Sequence, residues 1–381
     1  MFIHRSLDLE SLLTKKSHFL LGPRGTGKTK LIQHSIAKKA TIIDLLDDDR
    51  YSRLLRRPAL LSELLPRDTK WVVIDEVQKI PALLDEVHRL IEKNGFRFLL
   101  TGSSARKLKR GGANLLGGRA WEARLFGLSF HELGKSFDLI RYLNRGGLPS
   151  IYFSDFPKDE LKNYIKLYLR EEIQAEAIVK KLDHFVRFLD ASALTNGREI
   201  NFEAIGNDAG VPSRTVASYY EILEDTLLGF QLPPFLRSKK RKAIKTSKFY
   251  FFDVGVAGAL AQRGEIKEKS ELFGHAFEHF MIQEIRAYLH YRNLDQQMFY
   301  WRSTSQMEVD LIIGAEAAIE FKSTERISPS HLKGLKAFRE EKLVAKYYIV
   351  SLDRLARQAE GVIHLHWKDF LTKLWLGAIF K

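Results

Sequence analysis

Apolar positions along the chain change period from one third to the next. Near the start, "SHFLL" (17–21), "WVVI" (71–74) and "FRFLL" (96–100) are short, mostly apolar runs. Such runs mark strands covered on both faces of a parallel sheet. Residues 157–193 then carry apolar positions three and four apart, the spacing of helices. In 201–234, Ile205 and Ala209 predict one buried helix face, and Gly210 a tight turn. Ser213 is expected to cap a second helix with Val216, Tyr220 and Leu223 inward, a helix-turn-helix of winged-helix pattern. Further on, "FGHAFEHFMIQEIRAYLHY" predicts an amphipathic helix lined by Phe273, Phe277, Phe280, Met281 and Ile285. "MFYWRS", "MEVDLII" and "AIEFK" read as three strands, and "KYYIVSL" as a fourth after a helix.

With 381 residues, two or three domains are expected. The clearest composition break is "RSKKRKAIKTSK" (237–248), with seven Lys or Arg in twelve residues. The expected division is 1–150, 151–248 and 249–381. A formal net charge of +14 points to an anionic partner, nucleic acid first and anionic lipid second. Cysteine is absent, which excludes disulfides, zinc thiolates and thiol catalysis and suits a reducing cytosol. The first residues show no signal-peptide core, and no apolar run reaches ~18 residues. A cytoplasmic protein without membrane partners is expected.

Gly22-Pro23-Arg24-Gly25-Thr26-Gly27-Lys28-Thr29 fits G-x-x-x-x-G-K-[ST] between a strand and a helix. Glycines let backbone N–H groups wrap phosphate at the helix N-terminus. Lys28 would reach the β and γ oxygens of ATP, and the Thr29 hydroxyl would hold Mg²⁺. Asp75 and Glu76 end the strand 71–74, where ligands of open α/β sheets sit. Asp75 would position the metal through water, and Glu76 would polarise the attacking water. Thr101, Ser103 and Ser104 end the next strand; one of these hydroxyls would touch the γ-phosphate or the water, or they only cap helices.

"GPRGTGKT", "VVIDEVQKIP", "LLTGSSARKL" and "LLGGRA", in this order, resemble a prokaryotic group of AAA+ ATPases. The resemblance continues through "GLSFHEL", "RGGLP", "SYYEILEDTLLGFQLPPF", "KFYFFDVGV" and "EVDLII" with "IEFKS". It implies an AAA+ fold for about 15–135, a helical lid after it and a homo-oligomer, a hexameric ring among the candidate forms. It also offers Arg119 as an arginine finger or sensor, against a plain surface residue before "WEARLF".

Ser213, Arg214 and Ser218 would face a groove if the winged helix reads DNA; it would otherwise package the lid or bind protein. Lys239, Lys240, Arg241 and Lys242 are phosphate contacts or a solvated wing. In the last segment a hairpin loop at 314–316 would pair Ile313 with Ala317 and set Asp310 opposite Glu320. Val309, Leu311 and Ile313 would then share one face with Ile319 and Phe321, and Asp310 the other with Glu320 and Lys322. Two opposed carboxylates repel, which a divalent cation, Mg²⁺ or Mn²⁺, would relieve. The alternative is a cross-strand ion pair. A helix Glu278, then Asp310, then Glu320-x-Lys322 resembles the PD-(D/E)xK nucleases, with Val309 where that pattern has proline. The expectation is an α/β protein: an AAA+ P-loop parallel sheet with helical lid, a winged helix and a restriction-endonuclease-like α/β domain. Its expected function is an ATPase coupled to a metal-dependent nuclease, on DNA ahead of RNA. The rival is an ATP-switched DNA- or protein-binding regulator with a silent nuclease-like domain.

Overall fold

Five strands, β1 (Ser17–Leu21), β2 (Ala40–Asp44), β3 (Trp71–Asp75), β4 (Arg97–Gly102) and β5 (Ala120–Arg124), form a sheet of order β2-β3-β4-β1-β5. Every pairing in it is parallel. The computed structural model describes residues 2–66, 68–102, 115–169, 182–268 and 270–380. The three apolar runs are β1, β3 and β4 at the centre, and their side chains meet those of the helix Leu83–Asn94 in one core. This sheet belongs to a compact unit of residues 1–128, 148–150 and 222–228.

The second unit comprises 129–147, 151–221 and 229–381. Its main sheet has the order β12-β13-β11-β10-β9-β8. The strands are β8 (Met298–Arg302), β9 (Glu308–Ile313), β10 (Ala317–Lys322), β11 (Lys346–Ser351), β12 (Arg357–Ala359) and β13 (Val362–His366). β10, β11 and β13 are mutually parallel, and β8, β9 and β12 run against their neighbours. The helix Glu271–Tyr291 packs on β10 and Lys333–Arg339 on β9. Phe273, Phe277, Phe280, Met281 and Ile285 are all buried, as their spacing predicts.

Helices Phe202–Ala209 and Ser213–Asp225 flank a turn in which Gly210 takes φ +67°. Ile205, Ala209, Val216, Tyr220 and Leu223 are buried. Ser213 is the first helical residue rather than the cap: Val216 N donates to the Pro212 carbonyl. An antiparallel pair, β6 (Gly229–Leu232) and β7 (Lys248–Phe251), follows.

The stretch between those two strands is not a free linker. Phe235 N donates to the Tyr300 carbonyl (2.7 Å) and Ile244 N to that of Arg302 (2.8 Å), lacing this segment along β8. Phe235 is buried with Trp301 and Phe338. The Glu341 carboxylate accepts from the backbone N–H groups of Lys239, Lys240 and Arg241. No helix among the described residues is long and apolar enough to cross a membrane.

Glu284, buried within the helix Glu271–Tyr291, accepts from Phe130 N (2.7 Å) and Trp375 Nε1 (3.0 Å). Burial pushes its carboxyl up to about 8, although both donors favour the charge. A raised folded-state value means that this contribution to stability is full below the ordinary 4.5 and is lost as pH rises through about 8. We therefore expect the melting temperature to fall less from about pH 5 to about pH 9 in Glu284→Gln than in the wild type. Equal falls in scanning calorimetry would show that Glu284 does not carry this pH dependence.

Candidate functional site

Two sites assemble, one in each unit. In the first, β1 delivers the chain into Gly22–Gly27, and the helix Lys28–Ser35 leaves it. Gly25 and Gly27 take φ of +83° and +96°, a region that side chains disfavour. Lys28 is buried, and its Nζ donates to the carbonyls of Gly22 (2.6 Å) and Pro23 (3.3 Å), which hold it within the loop. Thr26 donates to Pro23 as well (2.9 Å). Arg24 is exposed.

Adjacent strand ends supply the acids. Thr29 Oγ1 donates to Asp75 Oδ2 (3.1 Å), and the Thr101 hydroxyl donates to Asp75 Oδ1. Thr101 Oγ1 also accepts from Glu76 N (3.0 Å). A carboxylate beside the P-loop threonine hydroxyl is a hard oxygen donor set that fits Mg²⁺ of a bound nucleotide. Glu76 has φ +61°, uncommon for a side-chain-bearing residue, and its carboxylate accepts from Gln78. Ser103 and Ser104 lie outside the described residues.

Arg119 precedes β5, whose Ala120 pairs with Ser17 at the start of β1, whereas the P-loop follows Leu21 at its end. At ~3.3 Å per residue the length of the strand separates them, so Arg119 does not reach the P-loop of its own chain. It pairs instead with Glu92, which its guanidinium holds below the usual carboxylate range. Arg5, which the sequence motifs do not flag, donates to the carbonyls of Thr26 (2.7 Å) and Phe126 (2.7 Å), tying the loop to the chain beyond β5.

The second site is a cavity of about 490 Å³ lined by Lys248, Glu278, Glu308, Asp310, Glu320 and Lys322, among others. It thus brings together all four residues of the acid–lysine pattern. β9 and β10 pair Ile313 with Ala317 and Leu311 with Ile319, the expected register, with Gly314 at φ +45°. The ladder stops there, and Asp310 Oδ2 accepts from Phe321 N (2.8 Å). On the other side the register slips: Phe299 pairs with Ile312 but Trp301 with Val309. Asp310 and Leu311 therefore both stand opposite Tyr300, a β-bulge that re-aims Asp310. The bulge also corrects the expected faces, because Val309 joins Ile312 and Trp301 in one core instead of sharing a side with Leu311.

Burial dominates the electrostatics here. It pushes Asp310 up to about 6, Glu278 adding to the rise and Lys322 opposing it. It raises Glu320 well above the usual range, with Asp310 adding to the shift. Glu320 Oε1 meets Lys322 Nζ at 2.5 Å, while buried Oε2 has no hydrogen-bond partner among the described residues. Glu278 differs: burial works against its charge, but Lys248 and Tyr250 overcome it and lower the pKa. Lys248 Nζ lies 3.3 Å from Glu278 Oε1 and 2.7 Å from Glu308 Oε1, and Tyr250 donates to Glu278 Oε1 (2.6 Å). Lys248 and Tyr250 reach one carboxylate because residues two apart on β7 share a face. The sequence hid Lys248 as the last residue of a basic run; its place two before Tyr250 in a strand was the available signal.

Among the described residues no three Asp, Glu or His side chains are grouped to hold a metal ion. The facing pair Asp310 and Glu320, with an orphaned buried oxygen, fits one cation; Glu278, held by Lys248, is not a ready third ligand. Ser213, Arg214 and Ser218 are exposed on their helix. Lys239, Lys240 and Lys242 are exposed, while Arg241 is committed to Glu340 (3.0 Å).

Residues 14–134 match the AAA domain family. Residues 136–267 and 273–369 match two families described as "Domain of unknown function (DUF8612)" and "Domain of unknown function (DUF4143)". Uncharacterized protein Rv2008c of Mycobacterium tuberculosis is 25% identical over 343 residues, 87% of this chain and 75% of that protein. Uncharacterized protein MJ1544 of Methanocaldococcus jannaschii is 27% identical over 288 residues, 66% of this chain and 63% of the relative. Among solved structures, the Aeropyrum pernix ORC1 protein in complex with DNA aligns at 14% identity and TM-score 0.25, over 69% of this chain and 93% of that one. Can2 from Sulfobacillus thermosulfidooxidans, in complex with cyclic tetra-adenylate, aligns at 11% identity and TM-score 0.24, over 96% and 100%. Such low scores carry no argument about function. The chain thus contains an AAA-type ATPase domain, which implies nucleotide binding.

Glu76→Gln should retain Mg·ATP binding but lose roughly 10²-fold or more in phosphate release. Turnover at the wild-type rate would remove Glu76 from the water-activating role. Lys248→Met should destabilise the chain by about 1–3 kcal/mol in urea unfolding, since it leaves the half-buried carboxylates of Glu278 and Glu308 without their cation. Adding Glu278→Gln should recover part of that loss, and a simple sum of the two effects would mean that the pair is not coupled.

Proposed function

We propose that the chain couples ATP hydrolysis to metal-dependent cleavage of nucleic acid, DNA ahead of RNA. The observation that carries this reading is the convergence of Glu278, Asp310, Glu320 and Lys322, from a helix and two strands, in one cavity. Asp310 and Glu320 would hold Mg²⁺ or Mn²⁺, which when bound supplies Lewis acidity toward a phosphodiester oxygen. Lys322, raised despite burial by Asp310 and Glu320, stays an ammonium ready to steady negative charge on the phosphate. Glu278 would orient that set through the bulged strand rather than complete the ligands.

The other parts take supporting roles. The helix-turn-helix and β6–β7 suit a winged helix, with Ser213, Arg214 and Ser218 toward a groove. Lys239, Lys240 and Lys242 offer phosphate contacts, and Arg241 braces the segment. Arg119, too far from its own P-loop, would serve a neighbour's nucleotide in a homo-oligomer, a hexameric ring among the candidates. Its specific ATPase rate would then rise with protein concentration.

One observation favours a second reading. Lys248 already compensates Glu278 and Glu308, as suits a fold that only grips nucleic acid or a partner under ATP control. Incubating the full chain with mixed DNA and RNA, Mg²⁺ or Mn²⁺, and with or without ATP separates the two. We expect cleavage that Asp310→Asn abolishes while ATPase activity persists. No cleavage under any of these conditions, or cleavage that survives Asp310→Asn, would sink the nuclease reading; the first result would advance the regulator.

A further inference from the structure

We propose that a groove beside the helix Pro157–Asn163 holds the sugar-phosphate backbone of nucleic acid, apart from the acid pocket, the helix-turn-helix and the basic stretch. The inference rests on the nucleic-acid partner argued above and assigns it a different surface. The groove is a cavity of about 940 Å³ between that helix, its continuation Tyr164–Leu169 and the helix Val254–Leu260, all within the second unit. Leu161 and Leu260 contribute to its aliphatic floor, and Arg145, Lys158, Lys162, Lys166 and Arg263 to its walls.

The cations are arranged rather than scattered. Lys158, Lys162 and Lys166 recur every four residues and keep to one side of the helical segment. Asp190 and Glu265 are the acids of the lining, and Glu265 lies 4.0 Å from Lys158. Among the described residues no carboxylate lies within ion-pair distance of Arg145, Lys162, Lys166 or Arg263. Arg145 donates to the carbonyls of Tyr152 (3.2 Å) and Ser154 (2.8 Å), and Arg263 to that of Leu143 (2.9 Å). Carbonyls fix these guanidinium groups in direction without cancelling their charge. Arg263 lies against Gly258, where a Cβ would stand 2.8 Å from its Cζ, so the glycine makes room for it. Burial lowers the Arg263 pKa to about 10, the cost of a sunken cation that meets no acid among the described residues.

The layout selects the ligand. From Lys158 to Lys166 is roughly 12 Å at 1.5 Å per residue. One phosphate would engage one end and leave the rest uncompensated, whereas a chain of phosphates would engage the whole row. Among the described residues no aromatic side chain lines the groove, so bases have nothing to stack on and recognition should be independent of sequence. The net charge of +14 favours the same partner over long range.

The test measures binding of the full chain to a mixed-sequence single strand by fluorescence anisotropy across a salt series. Lys162→Gln with Lys166→Gln, both exposed, should weaken binding and flatten log K against log salt by about 1.4, at ~0.7 for each phosphate no longer neutralised. Basal ATP turnover should be unchanged. Arg263→Gln should flatten the slope further; if it fails to fold, the exposed pair decides alone. Strand binding with an unchanged slope overturns the groove while leaving the nucleic-acid partner in place. No strand binding by the wild type, even at low salt, overturns both. Inorganic phosphate or polyglutamate that displaces the strand at equal charge concentration would assign the groove to a free anion or an acidic peptide, and so overturns it too.

Discussion

A carboxylate taken out of water must meet a cation, a proton or several donors, or the fold loses several kcal/mol per charge. The second unit is organised around that constraint. It buries Asp310 and Glu320, half-buries Glu278 near them, and answers each differently. Glu278 receives an ammonium and a phenol, Asp310 a backbone N–H, and Glu320 one ammonium on one oxygen. The orphaned Glu320 oxygen and the upward shifts of Asp310 and Glu320 show where compensation is incomplete. Glu284 meets the same constraint by keeping its proton, which suits a tie between helices and not chemistry.

The nucleotide site relies on a different economy. Its parts sit at the C-terminal ends of adjacent parallel strands, where loops from β1, β3 and β4 come within hydrogen-bond reach. Asp75 is held between hydroxyls on two neighbouring elements, so its carboxylate is oriented before any ligand arrives. Parallel order also sends Arg119 to the far end of the sheet. A residue that looks close to the P-loop along the run of motifs is thereby kept from it within one chain.

Much of this was legible in the sequence because the signals are local. The P-loop glycines, the apolar β3 before Asp75 and Glu76, and the turn at Gly314 each lie within a few residues of what they determine. The hairpin register followed from Gly314 and two-residue alternation alone. The bulge at Asp310 and Leu311 did not, because it is a property of the partner strand β8. Lys248 and Arg5 were missed for a related reason: each acts on groups about 20 to 120 residues away and carries no motif. Long-range ion pairs leave no periodic trace.

The segment laced along β8 has one more consequence. β8 ends the six-stranded order, and an uncovered terminal strand offers bare N–H and C=O groups to any other chain. The bonds from Phe235 and Ile244 occupy part of that rim, and the lysines around them discourage further pairing. A fragment cut where composition suggests, just before Phe249, would expose the rim and discard Lys248 in the same stroke. Such a fragment would be prone to edge-to-edge aggregation, so the natural severable piece of this protein begins well upstream of its most basic stretch.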